Sequence, residues 1–107
     1  MGFSADYMAQ EPARAEVDAL PGPVLLEFGN AWCGHCRRAR PLVEETMQRH
    51  PGVRHVKVAD GPGQPLGRSF RVKLWPTLVF LKDGQEVARV VRPSSLAEVR
   101  DAMQKLA

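Results

Sequence analysis

The segment Val24–Cys36, which reads VLLEFGNAWCGHC, is the most informative part of this 107-residue chain about its fold. It begins as an apolar run that is broken only by Glu27, and it ends in two cysteines separated by two residues. A continuous apolar run of this length, bounded by turn residues, is typical of a strand that is buried on both faces. The segment therefore predicts a central strand that leads directly into a helix starting at Cys33.

The sequence outside this stretch predicts helices and strands that alternate along the chain. Helices are predicted over Pro12–Leu20, Cys33–His50, about Leu66–Phe70 and from Ser94 or Ser95 to Leu106, and strands over Val24–Phe28, Val53–Ala59, Thr77–Leu81 and Glu86–Val91, with a further short edge strand expected in Met1–Gln10. The pair Asp83-Gly84 between the last two strands is a strong hairpin signal. This order predicts one α/β domain over residues 1–107, with a mixed central sheet flanked by helices on both faces.

Composition and charge exclude several classes of function. The chain is 44% hydrophobic and 25% charged, which is typical of a soluble globular protein. The net charge of +3 is scattered apart from Arg37, Arg38 and Arg40, so we expect no binding to nucleic acid. No apolar run approaches the length of a membrane span, and the N-terminus lacks the pattern of a secretory signal. We therefore expect a cytoplasmic monomer with no membrane partner.

The two cysteines are the main candidates for chemistry. A helix that starts at Cys33 places Cys33 and Cys36 on the same side of its first turn. Unpaired backbone N–H groups and the helix dipole favour a thiolate there, which would lower the pKa of Cys33. Cys36 lies one turn further in, is shielded, and can displace the first sulfur from a mixed disulfide. The pair predicts disulfide exchange with no cofactor other than the Cys33–Cys36 disulfide itself.

The two residues between the cysteines have predicted roles in this exchange. His35 can donate a hydrogen bond to Cys33 or carry a positive charge near it, and either effect would stabilise the dithiol form. Gly34 has no side chain that would obstruct an approaching disulfide.

Glu27 is unusual because a carboxyl group in an apolar strand is costly to bury unless it is neutral, paired or needed. It precedes Cys33 by six residues, so we expect it beneath the helix, where it could pass a proton to or from Cys36. Lys57, in the neighbouring predicted strand, is the expected partner of its charge. One alternative is that Glu27 points to solvent at a strand edge, and a separate one is that Lys57 occupies an outward position of its strand.

With Pro41 five residues after Cys36, the segment Val24–Cys36 resembles the active-site segment of thioredoxins and protein disulfide isomerase domains. The segment Trp75–Phe80 resembles a second conserved part of that family. The resemblance implies a thioredoxin fold and disulfide exchange with protein substrates. It implies that Cys33 is the nucleophile, that Cys36 is the resolving thiol, and that Glu27 transfers protons with Lys57 beside it.

The same resemblance implies a cis peptide bond at Trp75-Pro76 and substrate contacts at Trp32, Gly34, Trp75 and Pro76. It also implies an electron donor, which would be a thioredoxin-reductase-like protein or glutathione.

Several residues depart from the usual thioredoxin pattern. Glu27 and the Cys-Gly-His-Cys sequence are typical of the isomerase domains rather than of thioredoxins. Gly29-Asn30 stands where an aromatic-Ala pair is usual, and Trp75 is larger than the residue that usually precedes the cis proline. Arg92-Pro93 occupies the place of a glycine that helps thioredoxins dock, which argues against the standard thioredoxin reductase.

Three interpretations of the whole sequence follow. The first is an enzyme that exchanges disulfides, as a reductant in a cytoplasm or as an isomerase or oxidase if it is exported. The second is a docking adaptor in which the thiols are incidental, although an adaptor needs none of Cys33, Cys36, Glu27 and Lys57. The third is a metal-binding protein, but a structural zinc site needs four ligands, and no histidine has the required spacing from the cysteine pair.

Overall fold

The computed structural model describes residues 2–107, and the order of its elements is the predicted one apart from the short edge strand expected near the N-terminus. The elements are α1 (Arg14–Asp18), β1 (Pro23–Gly29), α2 (Gly34–Gln48), β2 (Arg54–Ala59), α3 (Pro65–Ser69), β3 (Thr77–Lys82), β4 (Gln85–Val91) and α4 (Leu96–Gln104). Within residues 2–107, none of the helices combines the length and the apolar character that crossing a membrane requires.

The strands form one mixed four-stranded sheet in the order β2-β1-β3-β4. β1 is parallel to β2 and antiparallel to β3, and β3 and β4 form an antiparallel hairpin. The parallel register places Glu27 beside Lys57. β1 is therefore paired on both edges, which agrees with its prediction as the central strand.

Helices cover both faces of the sheet, as predicted. Side chains of β1 alternate between the faces: Leu26 and Phe28 pack with residues of α1 and α3, whereas Leu25 packs with residues of α2 and α4. Because strand side chains alternate with a period of two, Glu27 and Gly29 lie on the same face as Leu25, beneath α2. This alternation positions the candidate site.

The expected edge strand in Met1–Gln10 is wrong for the described residues 2–10. This segment runs along the outer edge of β2, but it makes only one isolated bridge, between Gly2 and Arg54. Further along, the Met8 N–H donates to the Lys57 carbonyl oxygen at 2.8 Å. The segment is thus attached to the edge strand at separate points rather than through a continuous ladder.

Most differences between prediction and structure concern helix ends. α1 starts at Arg14 rather than at Pro12, and α4 ends at Gln104 rather than at Leu106. Ser95 is the N-cap of α4, where its side chain accepts a hydrogen bond from the Glu98 N–H. That capping box fixes the choice between the two predicted caps, because it satisfies backbone donors that the first turn leaves unpaired.

The hairpin between β3 and β4 confirms the turn signal at Asp83-Gly84. Asp83 has a φ of 49° and Gly84 a φ of 80°. Positive φ at both central residues is the requirement of a type I′ turn, which suits the twist of the flanking strands. A Cβ atom at Gly84 would also collide with the backbone carbonyl oxygen of Asp18.

Substitution of this glycine tests the packing of the hairpin against the end of α1. We expect Gly84→Ala to lower the free energy of unfolding by about 2 kcal/mol or more, because the added methyl group meets fixed backbone at a positive φ. Gly52→Ala is the matched control, since a Cβ atom there meets nothing within 4 Å. Urea unfolding of both variants measures the difference, and equal stabilities would contradict the collision.

Candidate active site

Cys33 and Cys36 meet at the N-terminus of α2. Cys33 is the N-cap of the helix rather than its first residue, and its Sγ accepts a hydrogen bond from the Cys36 N–H at 3.3 Å. Cys33 is half-buried and Cys36 is buried, and neither sulfur is in a disulfide in this structure. The N-cap position still provides what the prediction required, since the sulfur faces the unpaired N–H groups of the first turn.

The two thiols differ in acidity. Burial opposes the charge on Cys33, but hydrogen bonds from the Cys36 thiol and from the backbone of Cys36 and His35, together with the Arg92 guanidinium, lower its pKa below the usual value. Burial raises the pKa of Cys36 to about 11, and its interaction with Cys33 adds to this rise. Cys33 is therefore the thiol that more readily becomes a nucleophilic thiolate.

His35 is exposed, and its ring contacts Arg38. Its Nδ1 lies 2.9 Å from a guanidinium nitrogen of Arg38, a pair in which only the guanidinium can donate. Reduced contact with water and the charges of Arg92 and Arg38 lower the pKa of His35 below its usual value. The role of the His35 side chain stays a prediction, and its lowered pKa disfavours the version in which the ring is charged. Arg92 supplies a positive charge near Cys33, and the backbone of His35 supplies a hydrogen bond.

The peptide bond between Trp75 and Pro76 is cis, as the resemblance implied. The Trp75 indole N–H donates to Asp60 Oδ2 at 2.8 Å, and the Trp75 ring meets that of Trp32 edge-on, with centroids 5.8 Å apart. Trp32 is 71% exposed. Together the two indoles form an apolar rim next to Cys33. Sequence reasoning missed Asp60, because a carboxylate at the end of a strand gives no signal of a distant indole.

Arg92 is fixed across the same rim. Its Nε donates to the Trp75 carbonyl oxygen at 2.8 Å, and its backbone N–H donates to the Pro76 carbonyl oxygen at 2.9 Å. Its φ of 49° is a conformation that glycine adopts more easily. The Arg92 guanidinium is therefore already hydrogen-bonded to the Trp75 carbonyl oxygen at the edge of the site.

Glu27 is buried beneath α2, as predicted, but its partner is His55. Glu27 Oε1 lies 2.8 Å from His55 Nε2, and both side chains are almost fully buried. The Ser4 N–H donates to His55 Nδ1 at 2.9 Å, so Nδ1 carries no proton. An imidazole has a proton on at least one nitrogen, so the hydrogen-bond network assigns it to Nε2, which donates to Glu27.

Lys57 is buried and is not the predicted partner of Glu27. Its ammonium group donates to the Ala5 carbonyl oxygen at 2.9 Å and lies 4.6 Å from the centroid of the Tyr7 ring. Within the described chain, Glu27 and Lys57 form no ion pair, although they are neighbours in the sheet. The alternative of solvent-facing positions is also wrong, because both residues are buried.

Tyr7 also belongs to the site, and sequence reasoning missed it because the segment around it is too weakly patterned to interpret. Its hydroxyl group lies in the same small space as Cys36 Sγ, and each group shifts the pKa of the other. The contact is close to Gly29, where an added Cβ atom would lie 2.7 Å from Cys36 Sγ and 2.8 Å from the Tyr7 hydroxyl oxygen. Gly29, which stands where the family usually has an aromatic residue, thus leaves space for the aromatic ring of Tyr7 from the N-terminal segment.

A search for metal ligands over residues 2–107 finds no group of three or more histidine, cysteine, aspartate or glutamate side chains that could hold an ion. The cysteine pair and the buried Glu27–His55 pair are therefore separate features. The arrangement is suited to exchange of disulfides at Cys33, with Cys36 behind it.

Comparison with known proteins agrees with this geometry. The family model described as thioredoxin matches residues 6–105. The thioredoxin 1 of a Nostoc species is 37% identical over 89 residues, which cover 82% of this chain and 83% of that protein. The thioredoxin of Mycobacterium tuberculosis is 34% identical over 89 residues, covering 78% and 77% of the two chains.

Among solved structures, reduced thioredoxin 2 from Pseudomonas aeruginosa is similar over 97% of this chain and 96% of that one, with a TM-score of 0.87 and 57% identity.

The Glu27–His55 pair can be tested by a double-mutant cycle. We expect His55→Leu to lower the free energy of unfolding by about 2–3 kcal/mol, because it leaves the buried carboxyl group of Glu27 without its donor. The double variant Glu27→Leu/His55→Leu removes both polar groups and should be more stable than His55→Leu alone. Urea unfolding measures all four proteins, and purely additive effects would show that the two side chains are not coupled.

Proposed function

Because this chain belongs to the thioredoxin family, and is therefore a thiol–disulfide oxidoreductase with a cysteine pair, we propose that it reduces protein disulfides in a cytoplasm. The family acts on protein disulfides and needs no cofactor beyond its redox-active cysteines. The observation that carries the proposal is the different placement of the two thiols: Cys33 is half-buried at the N-cap of α2, where its Sγ accepts from the Cys36 N–H, whereas Cys36 is buried behind it. In line with this placement, the pKa of Cys33 is lowered and that of Cys36 is raised.

In the first step of the proposed reaction, the Cys33 thiolate attacks one sulfur of a substrate disulfide. The substrate S–S bond breaks, a mixed disulfide forms at Cys33, and the other substrate sulfur leaves as a thiolate. Cys36 then loses its proton and attacks Cys33 Sγ, which forms the Cys33–Cys36 disulfide and releases the second substrate thiolate. The substrate gains two electrons, and the cysteine pair loses them.

The other predicted site residues take supporting roles in this proposal. Trp32, Gly34 and the Trp75-Pro76 pair form the surface that an extended substrate would contact beside Cys33. Glu27 is buried below the helix, and the proton transfer assigned to it remains a prediction, since its Oε1 is bonded to His55. Lys57 acts in this proposal by holding the N-terminal segment.

The electron donor and the oligomeric state belong to the proposal as well. We propose a monomer that is reduced again by a thioredoxin-reductase-like protein or by glutathione. Arg92 favours a donor other than the standard reductase, because its guanidinium already occupies the Trp75 carbonyl oxygen at the rim.

Alkylation at varied pH tests the assignment of nucleophile and resolving thiol. The rate follows the thiolate fraction, so Cys33 should reach its half-maximal rate with iodoacetamide at a lower pH than free cysteine does, because its pKa is lowered. In Cys33→Ser, Cys36 should reach half-maximal rate above the pH of free cysteine, because burial remains. Mass spectrometry of the labelled protein measures both, and the reverse order would contradict the assignment.

The reduction potential tests the direction of catalysis. We expect a value below about −230 mV, towards the thioredoxin figure of about −270 mV, because the lowered pKa of His35 disfavours a second positive charge beside that of Arg92, which would stabilise the dithiol form further. Equilibration with glutathione buffers, followed by the fluorescence of Trp32, measures it, and Cys36→Ser should show no such transition. A value near about −180 mV would instead favour an isomerase or oxidase.

A further inference from the structure

The surroundings of Cys36 point to a role for Tyr7 in the second step of the exchange, an inference that rests on the proposed function. We infer that the Tyr7 hydroxyl group is the hydrogen-bond donor that stabilises the Cys36 thiolate while it attacks the mixed disulfide at Cys33. Tyr7 comes from the N-terminal segment, outside the helices and strands, and reaches the buried sulfur from the edge of the sheet.

The close approach at Gly29 makes this contact possible. The Tyr7 hydroxyl oxygen and Cys36 Sγ both lie within 2.8 Å of the point that a Cβ atom at residue 29 would occupy. Any side chain at residue 29 would displace one of them. The hydroxyl group and the sulfur therefore share one small space, which places the phenol where it can donate to a Cys36 thiolate.

Residues on both sides of Tyr7 are fixed to Lys57, which limits the movement of the phenol. The Lys57 ammonium group donates to the Ala5 carbonyl oxygen at 2.9 Å, and the Met8 N–H donates to the Lys57 carbonyl oxygen at 2.8 Å. The same ammonium group lies 4.6 Å from the centre of the Tyr7 ring, a cation–π contact. The hydroxyl group is thus held in place before the thiolate forms, so no reorganisation is needed.

Tyr7 keeps the proton that it would donate to a Cys36 thiolate. Burial raises the pKa of Tyr7 above its usual value, and the negative charges of Cys36 and Glu27 raise it further. The phenol therefore keeps its proton throughout the working pH range. Burial also raises the pKa of Cys36, whereas the hydrogen bond from Tyr7 lowers it, so the phenol opposes part of the cost of forming a buried thiolate.

The proton of Cys36 has a path to solvent. A cavity of about 410 Å³ lies between the N-terminal segment and the start of α2, with Tyr7 and Cys36 in its wall. In the resolving step the Cys36 S–H bond breaks, its proton passes to water through the cavity, the thiolate attacks Cys33 Sγ, and the substrate sulfur leaves with the electron pair. Tyr7 donates its hydrogen bond until the new S–S bond has formed.

Other charged groups face the same region from each neighbouring element. They are Asp6 of the N-terminal segment, Glu27 of β1, Lys57 of β2, Arg37 and Arg40 of α2, and Cys33 at its N-cap. All of them remain in a Tyr7→Phe variant. A change in the pH dependence of the second step can then be attributed to the hydroxyl group.

Stopped-flow reaction with the disulfide of 5-thio-2-nitrobenzoate separates the two steps. The first release of thionitrobenzoate reports attack by Cys33, and the second reports attack by Cys36. In Tyr7→Phe we expect the second release to be about tenfold slower at neutral pH, the effect of one lost hydrogen bond to a charged group, and its pH profile to move to higher pH. The first release should be unchanged.

Ser4→Ala is the matched control, because it removes a hydrogen bond of the same segment, from Ser4 Oγ to the His55 carbonyl oxygen, without touching Tyr7. It should leave both rates unchanged. A second measurement compares the thiolate absorbance of Cys33→Ser with that of Cys33→Ser/Tyr7→Phe; the pH at which Cys36 ionises should be higher in the double variant.

The outcomes are distinguishable. Absence of a second release from the unmodified protein would overturn the proposed function and this inference with it. A normal second release whose rate and pH profile are the same in Tyr7→Phe would overturn the role of Tyr7 alone. Equal slowing of both releases, with a lower melting temperature, would show that the hydroxyl group supports only the structure and would also overturn the inference.

Discussion

The close approach of three groups at Gly29 is the constraint on which the site depends. Gly29 ends the central strand, and the space beside it is filled by Cys36 Sγ and the Tyr7 hydroxyl oxygen. At this contact the start of α2 and the N-terminal segment both lie against the end of β1. A larger residue at this position would separate the buried sulfur from the phenol, so the loss of the usual aromatic residue and the position of Tyr7 are two parts of one arrangement.

The two cysteines differ in reactivity because different surroundings act on each of them. Cys33 receives its stabilisation from the exposed side, through N–H groups at the N-terminus of α2 and the Arg92 guanidinium. Cys36 faces the interior, where burial disfavours its charge and Tyr7 is the side chain that opposes this effect. Cys33 can therefore be ionised before a substrate arrives, whereas Cys36, in the proposed reaction, ionises only as it reacts. This order of ionisation suits a reductant, because Cys36 does not need to attack before the mixed disulfide has formed at Cys33.

The fold could be predicted from the sequence because each element carries its own local signal. Apolar runs identified the strands, and Asp83-Gly84 identified the hairpin turn. The partner of Glu27 could not be predicted in this way. In the parallel register Lys57 is the nearest neighbour of Glu27 along the sheet, yet the side chain that reaches its carboxyl group is that of His55, two residues earlier. The partner of Glu27 depends on side-chain reach and hydrogen-bond direction, and neither can be predicted from the order of residues.

Tyr7 could not be predicted for the same reason, since side-chain reach is not visible in the sequence. The N-terminal segment that carries Tyr7 nevertheless stays attached to the sheet. The segment has no regular secondary structure, and such segments usually open at low cost. Here, however, Ser4 and Ala5 supply hydrogen-bond partners to His55 and Lys57, which are both buried. Detachment would leave buried polar groups without partners, and each such group costs about 1–3 kcal/mol. The polar residues of β2 therefore hold the segment that delivers the phenol to Cys36, which ties the chemistry of the second cysteine to the folding of the edge strand.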